Sequence, residues 1–541
     1  MSKEKFFVFI VFALFAFVAY RDCFHIIIPA DNYSQAYWFK DGFISGCYTS
    51  FHEHTPPHLI WFPIFSCFYY WFGLNSVCWI TLSMLLHVIN AFIVYLIAKK
   101  IFQTLFSEKG SIVPIFSALI FLISPYQTED VLWAPISVRW LFNVLVIYLG
   151  VLIFIHHLDK PSLKKNISFA ILFLLGIFSN EPALVLPGIY VVLFLLYKKL
   201  DKTSVSLKSF LTQTIVPHIV FIGFYFLVSK LWSGHWLWHD GTFTEMSQSY
   251  NYPKTVLKYF AKFFLFYRYF ASADIDIFLR SVSLNKFLLL ALFLLVASAA
   301  LFLFWKLIKQ KNEIGFFLFT VFACFIILLL PVLSIDSSFL KYIYPDRYGY
   351  PASAFFYLFF ISSIYFLFRK ISIPVSLICF GLCWLLLMKT IPVWISANDY
   401  CTRVIQNYKP SLKYNRVYVL SMPSYYNGIA AFRSAFKQNI FYAFNKSPVE
   451  KIEIISGYYK ESFSDSLMSV KKNADTIIVC GAKKRTPFFS TGAGWAKSHE
   501  TDEYKVDFDS TGCSYRLTFK KEIPQNSAFI YANGVTWKKV D

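Results

Sequence analysis

Long apolar runs separated by short polar loops fill the first 390 or so residues, and a shorter alternation replaces them after Pro392. Phe6–Tyr20, Phe287–Trp305, Gly315–Ile335 and Ser372–Met388 each approach the roughly 20 residues that cross a hydrocarbon core of about 30 Å. Taken together the runs predict about eleven spans, near 5–20, 76–98, 112–125, 138–156, 167–180, 182–197, 214–231, 285–305, 314–335, 351–368 and 371–391. The pair flanking Ser179-Asn180-Glu181-Pro182 is short enough to be one long broken helix. Between the spans, two long loops stand out, about 21–75 and 232–284. The first carries a proline-broken aromatic stretch from His58 to Gly73, and the second repeats lysine at 254, 258 and 262 among aromatic residues. Both read as helices lying in the membrane interface, with aromatic faces in the acyl boundary and lysine heads near lipid phosphates.

Residues 396–541 read differently. Arg416–Met422, Ile452–Ser456, Thr476–Cys480 and Tyr515–Phe519 are β-rich runs bounded by turn residues, predicting a small α+β or mainly β domain. The expected architecture is therefore a polytopic all-α membrane domain over 1–395, followed by a soluble domain over 396–541.

Composition agrees: 57% of residues are hydrophobic and 15% charged, where a soluble chain carries about 25% charged residues. The net charge of +20 would suggest nucleic acid in a soluble protein, but its placement argues for topology instead. Lysine and arginine cluster in alternate loops, at Lys99-Lys100, Lys160 with Lys164-Lys165, Lys198-Lys199, Lys306 with Lys309, and Arg369-Lys370. That alternation is the positive-inside pattern; it places the N-terminus in the cytoplasm and the C-terminal domain outside, and it excludes a nucleic-acid partner. The basic N-terminus lacks a small-x-small cleavage site and is read as an uncleaved span. Ten cysteines occur without a CxxC pair; Cys480 and Cys513 could pair in an extracytoplasmic domain.

Ionisable residues beside spans are costly and so are candidates for chemistry. Asp31, about ten residues past the first span, could act as a general base on an acceptor hydroxyl, or could be a solvated loop acid or helix cap. Glu129 and Asp130 place two acids at the end of the third span, to hold a substrate hydroxyl or metal, or to cap a helix. Glu181 needs a partner near the membrane boundary, which a structural hydrogen bond in a broken helix would supply equally well. In Lys341-Tyr-Ile-Tyr-Pro-Asp346-Arg347-Tyr348, Lys341 and Arg347 suit a phosphate, since the planar guanidinium fork matches phosphate oxygens. His54 and His58, with His52 and Glu53, are candidate substrate contacts but match no metal-binding spacing. There is no Walker loop, GxGxxG, GxSxG or HExxH, so nucleotide-driven transport and soluble-type hydrolysis lack support.

Five stretches in order carry a resemblance: Asp31 in the first loop with Phe72-Gly73-Leu74-Asn75; Leu82-Ser-Met-Leu-Leu-His87-Val-Ile-Asn90; Ser124-Pro125-Tyr126-Gln127-Thr128-Glu129; Ser179-Asn180-Glu181-Pro182; and Lys341-Tyr-Ile-Tyr-Pro. They resemble the GT-C superfamily of polyprenyl-phosphate-sugar-dependent glycosyltransferases, especially its protein O-mannosyltransferase and TMTC-like branch, over about residues 1–390. The resemblance implies a GT-C-like fold, a lipid-linked donor entering from the bilayer, and a glycan, lipid or protein acceptor. It further implies Asp31 as base, Glu129 as a site acid and Arg347 as a phosphate contact. Asn32 stands where many relatives carry a second acid, and Asn180 where they carry lysine, which leaves a divalent cation open. The expected function is inverting sugar transfer at the outer face of a membrane, a bacterial inner membrane by preference. The alternatives are a transporter or flippase of a lipid-linked glycan, and a non-catalytic assembly protein on the same scaffold.

Overall fold

The computed structural model describes residues 3–54, 59–106, 112–234, 236, 252–270, 291, 298, 302, 305, 313–332, 343–408, 414–433, 436–444, 452–460, 468–473, 476–481, 488–490 and 498–540. The chain forms two compact units. Unit 1 takes residues Met1–Phe24, Cys47–Lys341 and Pro345–Thr390; unit 2 takes His25–Gly46, Tyr342–Tyr344 and Ile391–Asp541.

Unit 1 is helical, and the protein is a polytopic integral membrane protein. Among the described residues eight helices are long and apolar enough to cross a bilayer. They are α1 (Lys3–Tyr20, continued to Cys23), α5 (Ser76–Leu105), α8 (Ile136–Asp159), α10 (Leu186–Lys199, entered from Glu181), α11 (Leu207–Trp232), α13 (Glu313–Leu329, continued to Val332), α14 (Tyr350–Leu367, entered from Asp346) and α15 (Ser372–Gln406). Shorter helices are α3 (Phe43–His54), α4 (Trp61–Phe72), α6 (Val113–Ile123), α7 (Thr128–Leu132), α9 (Leu163–Ile177) and α12 (Tyr252–Leu265), while α2 (Ala30–Tyr37) belongs to unit 2. Two of the eleven expected spans are thus the shorter α6 and α9, and the span near 285–305 lies outside the described residues except at positions 291, 298, 302 and 305.

Several motif residues turn out to hold helices together. Gly73, at φ +54°, ends α4, and the Asn75 side chain caps α5 by accepting from the amides of Val77 and Cys78. Inside the bundle His87 donates from Nε2 to the Leu122 carbonyl (2.9 Å) and accepts at Nδ1 from the Tyr350 hydroxyl (2.8 Å). Asn90 donates to that hydroxyl and to the Leu141 carbonyl. One polar knot therefore ties α5, α6, α8 and α14 together where no water is at hand to satisfy these groups. The break between α9 and α10 is real: Asn143 on α8 donates to the carbonyls of both Gly176 and Asn180.

Unit 2 is built on two sheets. The first has the order β12 (Thr536–Val540), β11 (Ser527–Asn533), β1 (Arg416–Tyr426), β4 (Ser456–Lys460), β7 (Phe488–Ser490), with β2 (Ile429–Ala430) and β3 (Ile452–Ile454) also on β1. Its central strand β1 (Arg416–Tyr426) runs parallel to β3 (Ile452–Ile454), β4 (Ser456–Lys460) and β11 (Ser527–Asn533). β1 is buried almost throughout, as a central parallel strand covered on both faces must be. The second sheet is antiparallel, in the order β5 (Ser469–Asn473), β6 (Thr476–Cys480), β10 (Ser514–Phe519), β9 (Tyr504–Phe508), β8 (His499–Glu500). Tyr418, Leu420, Tyr458 and Phe529 of the first sheet pack with Ile477, Val479, Val506, Tyr515 and Leu517 of the second in one core. Cys480 on β6 pairs in register with Ser514 on β10, Cys513 lies in the bend just before that strand, and both cysteines are free, so the expected pairing is not formed.

The helix α15 does not stop at Pro392. It runs through the proline to Gln406, although the unit boundary falls between Thr390 and Ile391.

Candidate active site

Unit 1 gathers six ionisable residues around α7. The sequence Ser124-Pro125 ends α6, and Asn-like capping by Ser124 turns the chain so that Glu129 and Asp130 fall in the first turn of α7, both buried. Glu129 accepts from the Arg347 backbone amide (2.7 Å) and from its Nη1 (2.7 Å), while Arg347 Nη2 donates to the Tyr348 hydroxyl (2.9 Å). The guanidinium also lies 4.1 Å from the Trp133 ring centre and 4.6 Å from that of Tyr348. The fork that the sequence assigns to a phosphate is therefore engaged by protein groups.

Beside it, Asp346 accepts from Lys262 Nζ at Oδ1 (2.8 Å) and from Arg268 Nη2 at Oδ2 (2.6 Å). The side chains of Lys262 and Asp346 are 1% and 0% exposed, which corrects the expectation that the lysine head lies among lipid phosphates. α12 buries Thr255, Lys258, Tyr259, Lys262 and Phe263 and exposes Phe264 and Leu265. The helix is amphipathic as expected, but its lysine face is the one turned inward. Gly349 allows this approach: a Cβ there would sit 2.6 Å from the Tyr259 ring. Tyr126 covers the group, with the Arg268 guanidinium 5.0 Å from its ring centre.

Asp130 is the outlier. It is fully buried, and neither carboxylate oxygen has a hydrogen-bond partner among the described residues. Burial pushes its pKa well above the usual carboxylate range, so the neutral acid is favoured. Lys262, Arg268 and Arg347 thus set three cationic groups beside the carboxyls of Glu129, Asp130 and Asp346. α8 starts just after α7 and ends at Asp159, which pairs with Lys100 at 2.8 Å. At 1.5 Å per residue the charged cluster and the lysine-rich loops are about 35 Å apart along the bundle.

Asp31 belongs to unit 2, on the first turn of α2. Its segment is held by the C-terminal domain. The Ala30 amide donates to the Ala431 carbonyl (2.7 Å), the Ile27 amide to Asn398 Oδ1 (3.0 Å), and the Tyr442 hydroxyl to the Ala36 carbonyl (2.6 Å). Ala30 adopts φ +21°, a strained value for a residue with a Cβ, immediately before the acid. The Asp31 carboxylate is half-buried and meets no hydrogen-bond or ion-pair partner among the described residues.

The other candidates scatter. Glu181 starts the turn before α10, half-buried, and no hydrogen bond or ion pair among the described residues joins it to the charged cluster. The His54 side chain, His58 and Lys341 lie outside the described residues. No group of three or more His, Cys, Asp or Glu side chains among the described residues is placed to hold a metal ion. Lys262 and Arg268 were missed as site residues. The four-residue lysine period was visible, but in an apolar chain it does not say which face is inside.

These features define a polytopic membrane protein with a buried charged cluster at one end of its bundle. No protein-family model matches the sequence, and no curated protein matches it. Among solved structures the chain is similar to a crystal structure of ArnT from Cupriavidus metallidurans bound to undecaprenyl phosphate. The alignment covers 87% of this chain and 97% of that one, at 12% identity and a TM-score of 0.35.

Proposed function

We propose that the protein is a membrane glycosyltransferase that moves a sugar from a polyprenyl-phosphate donor to an acceptor hydroxyl at the outer face of the membrane, with its basic loops in the cytoplasm. The observation that carries this reading is Asp31: a half-buried carboxylate with no hydrogen-bond or ion-pair partner among the described residues, on a backbone pinned on both sides. Such a group is ready to take a proton from an incoming hydroxyl. The acceptor oxygen then attacks the anomeric carbon as the bond to the donor phosphate breaks, and the phosphate leaves with the electron pair, inverting the centre. Within unit 1, Lys262, Arg268 and Arg347 are cations of the kind that suit a phosphate group. The ordered GT-C-like motifs, including Glu129 and Arg347, support the same reading, as does the aromatic face of α4, where Tyr70 and Trp71 point outward.

The test is transfer by the full chain in lipid vesicles containing radiolabelled polyprenyl-phosphate sugars. Asp31→Asn should insert normally and lose transfer by at least a hundredfold. Wild-type transfer retained in that variant would overturn the assignment.

A further inference from the structure

The C-terminal ends of the parallel strands in unit 2 collect a set of side chains that sugar transfer has not yet used. β1 ends in Tyr425-Tyr426 and turns through Asn427 (φ +46°) and Gly428 (φ +84°) into β2 (Ile429–Ala430). Two positive φ values in a two-residue loop give the tight hairpin that Asn-Gly favours. The hairpin anchors two distant segments. Its Gly428 carbonyl accepts from the Tyr344 amide (2.8 Å), and Ala431 just beyond it accepts from Ala30, the residue before Asp31. Tyr344 stands against Tyr425 with ring centres 5.7 Å apart, and Tyr425 against Tyr459, its register partner at the end of β4, at 6.4 Å. Arg433 donates to the Tyr344 hydroxyl and places its guanidinium 5.2 Å from the Tyr344 ring centre. All four side chains are half-buried.

We infer that this row, Tyr344, Tyr425 and Tyr459 with Arg433, is a carbohydrate-binding subsite that receives the acceptor next to Asp31; the inference rests on the transferase reading above. Ligands of parallel sheets sit outside the carboxyl ends of the strands, which is where the row lies. Tyrosine rings present an apolar face with a polar tip, and a guanidinium supplies fixed donors, which together match a pyranose with its C–H face and equatorial hydroxyls. An extended peptide is a poorer fit. It would need an open strand edge, and Tyr425 is already paired on both sides, with Ala430 of β2 and Tyr459 of β4.

The experiment uses the full chain in nanodiscs against an array of neutral and acidic mono- to tetrasaccharides, together with acceptor kinetics in the vesicle assay. Tyr425→Ala and Arg433→Gln should each weaken saccharide binding at least tenfold and raise acceptor KM by a similar factor, with donor KM unchanged. Tyr425→Trp should restore binding to within threefold, which separates a lost ring face from a damaged fold, and Arg516→Gln on the second sheet should change nothing. The subsite is overturned if wild type binds no saccharide, or if Tyr425→Ala and Arg433→Gln bind and turn over acceptor as wild type does. Saccharide binding that depends on the row, in a protein without transfer activity, would instead leave the subsite standing and remove the transferase reading.

Discussion

Glu129 and Asp130 are neighbours in sequence with opposite circumstances. Glu129 is 2% exposed and shares two hydrogen bonds with Arg347, so Glu129→Gln leaves a buried guanidinium short of its counter-charge. We expect a loss of about 3–5 kcal/mol, read as a lower thermal midpoint in detergent. Asp130→Asn removes a buried carboxyl that has no partner, and should be neutral or stabilising at pH 7. The two variants also differ in pH response. The folded Asp130 pKa is raised, so the folded state holds its proton where the unfolded state has released it. Stability from this group is complete below the unfolded carboxyl pKa of about 4 and declines as pH rises towards the raised value. Wild type should therefore gain thermal stability relative to Asp130→Asn as pH falls from 7 towards about 4, and gain no more below that. The sequence made both acids candidates alike; it could not separate them, because pairing with a residue 218 positions away leaves no local trace.

At the scale of elements, hydrophobic periodicity located nearly every helix and four of the strands, because span length and alternation are local properties. Orientation of a face was less legible. In water the apolar stripe of a helix faces the core, but beside lipid an aromatic face can point outward while lysines turn inward to a carboxylate, as α12 does. Lys262 should accordingly resist amine-reactive labelling in intact vesicles, while the half-exposed lysines of the loops react readily; mass spectrometry of labelled peptides reads the ratio. The seat of α12 depends on Gly349, whose missing side chain admits the rings of Tyr259 and Phe263. Gly349→Val should push the helix off Asp346 and lower stability by about 1–3 kcal/mol. A reduced thermal midpoint with Lys262 newly labelled would show the two effects to be one.

For the molecule as a whole, membrane residence was plain from composition and span length. The make-up of the units was not. The aromatic and acidic segment His25–Gly46 carries no mark that assigns it to a domain whose strands begin at Arg416, and the composition break at Pro392 marks a unit boundary but not the end of α15. Orientation can be tested directly. Single cysteines introduced in a cysteine-depleted chain at Lys164, in the exposed basic first turn of α9, and at Ser510, in the turn before β10, should be labelled by a membrane-impermeant maleimide from opposite sides of the membrane. Labelling of both from one side would reverse the proposed topology.

The bond from Ala30 to Ala431 also has a consequence in time. The two residues are separated by about 400 positions, and ribosomes add about 5–20 residues per second. The helix carrying Asp31 is therefore made early and then waits on the order of 20–80 seconds before the strand hairpin that anchors it exists. Through that interval the bundle can insert and assemble while its acid has no fixed seat. On the proposed transferase reading, a protein arranged this way stays idle during its own synthesis, and donor lipid in the surrounding bilayer meets a finished catalyst or none.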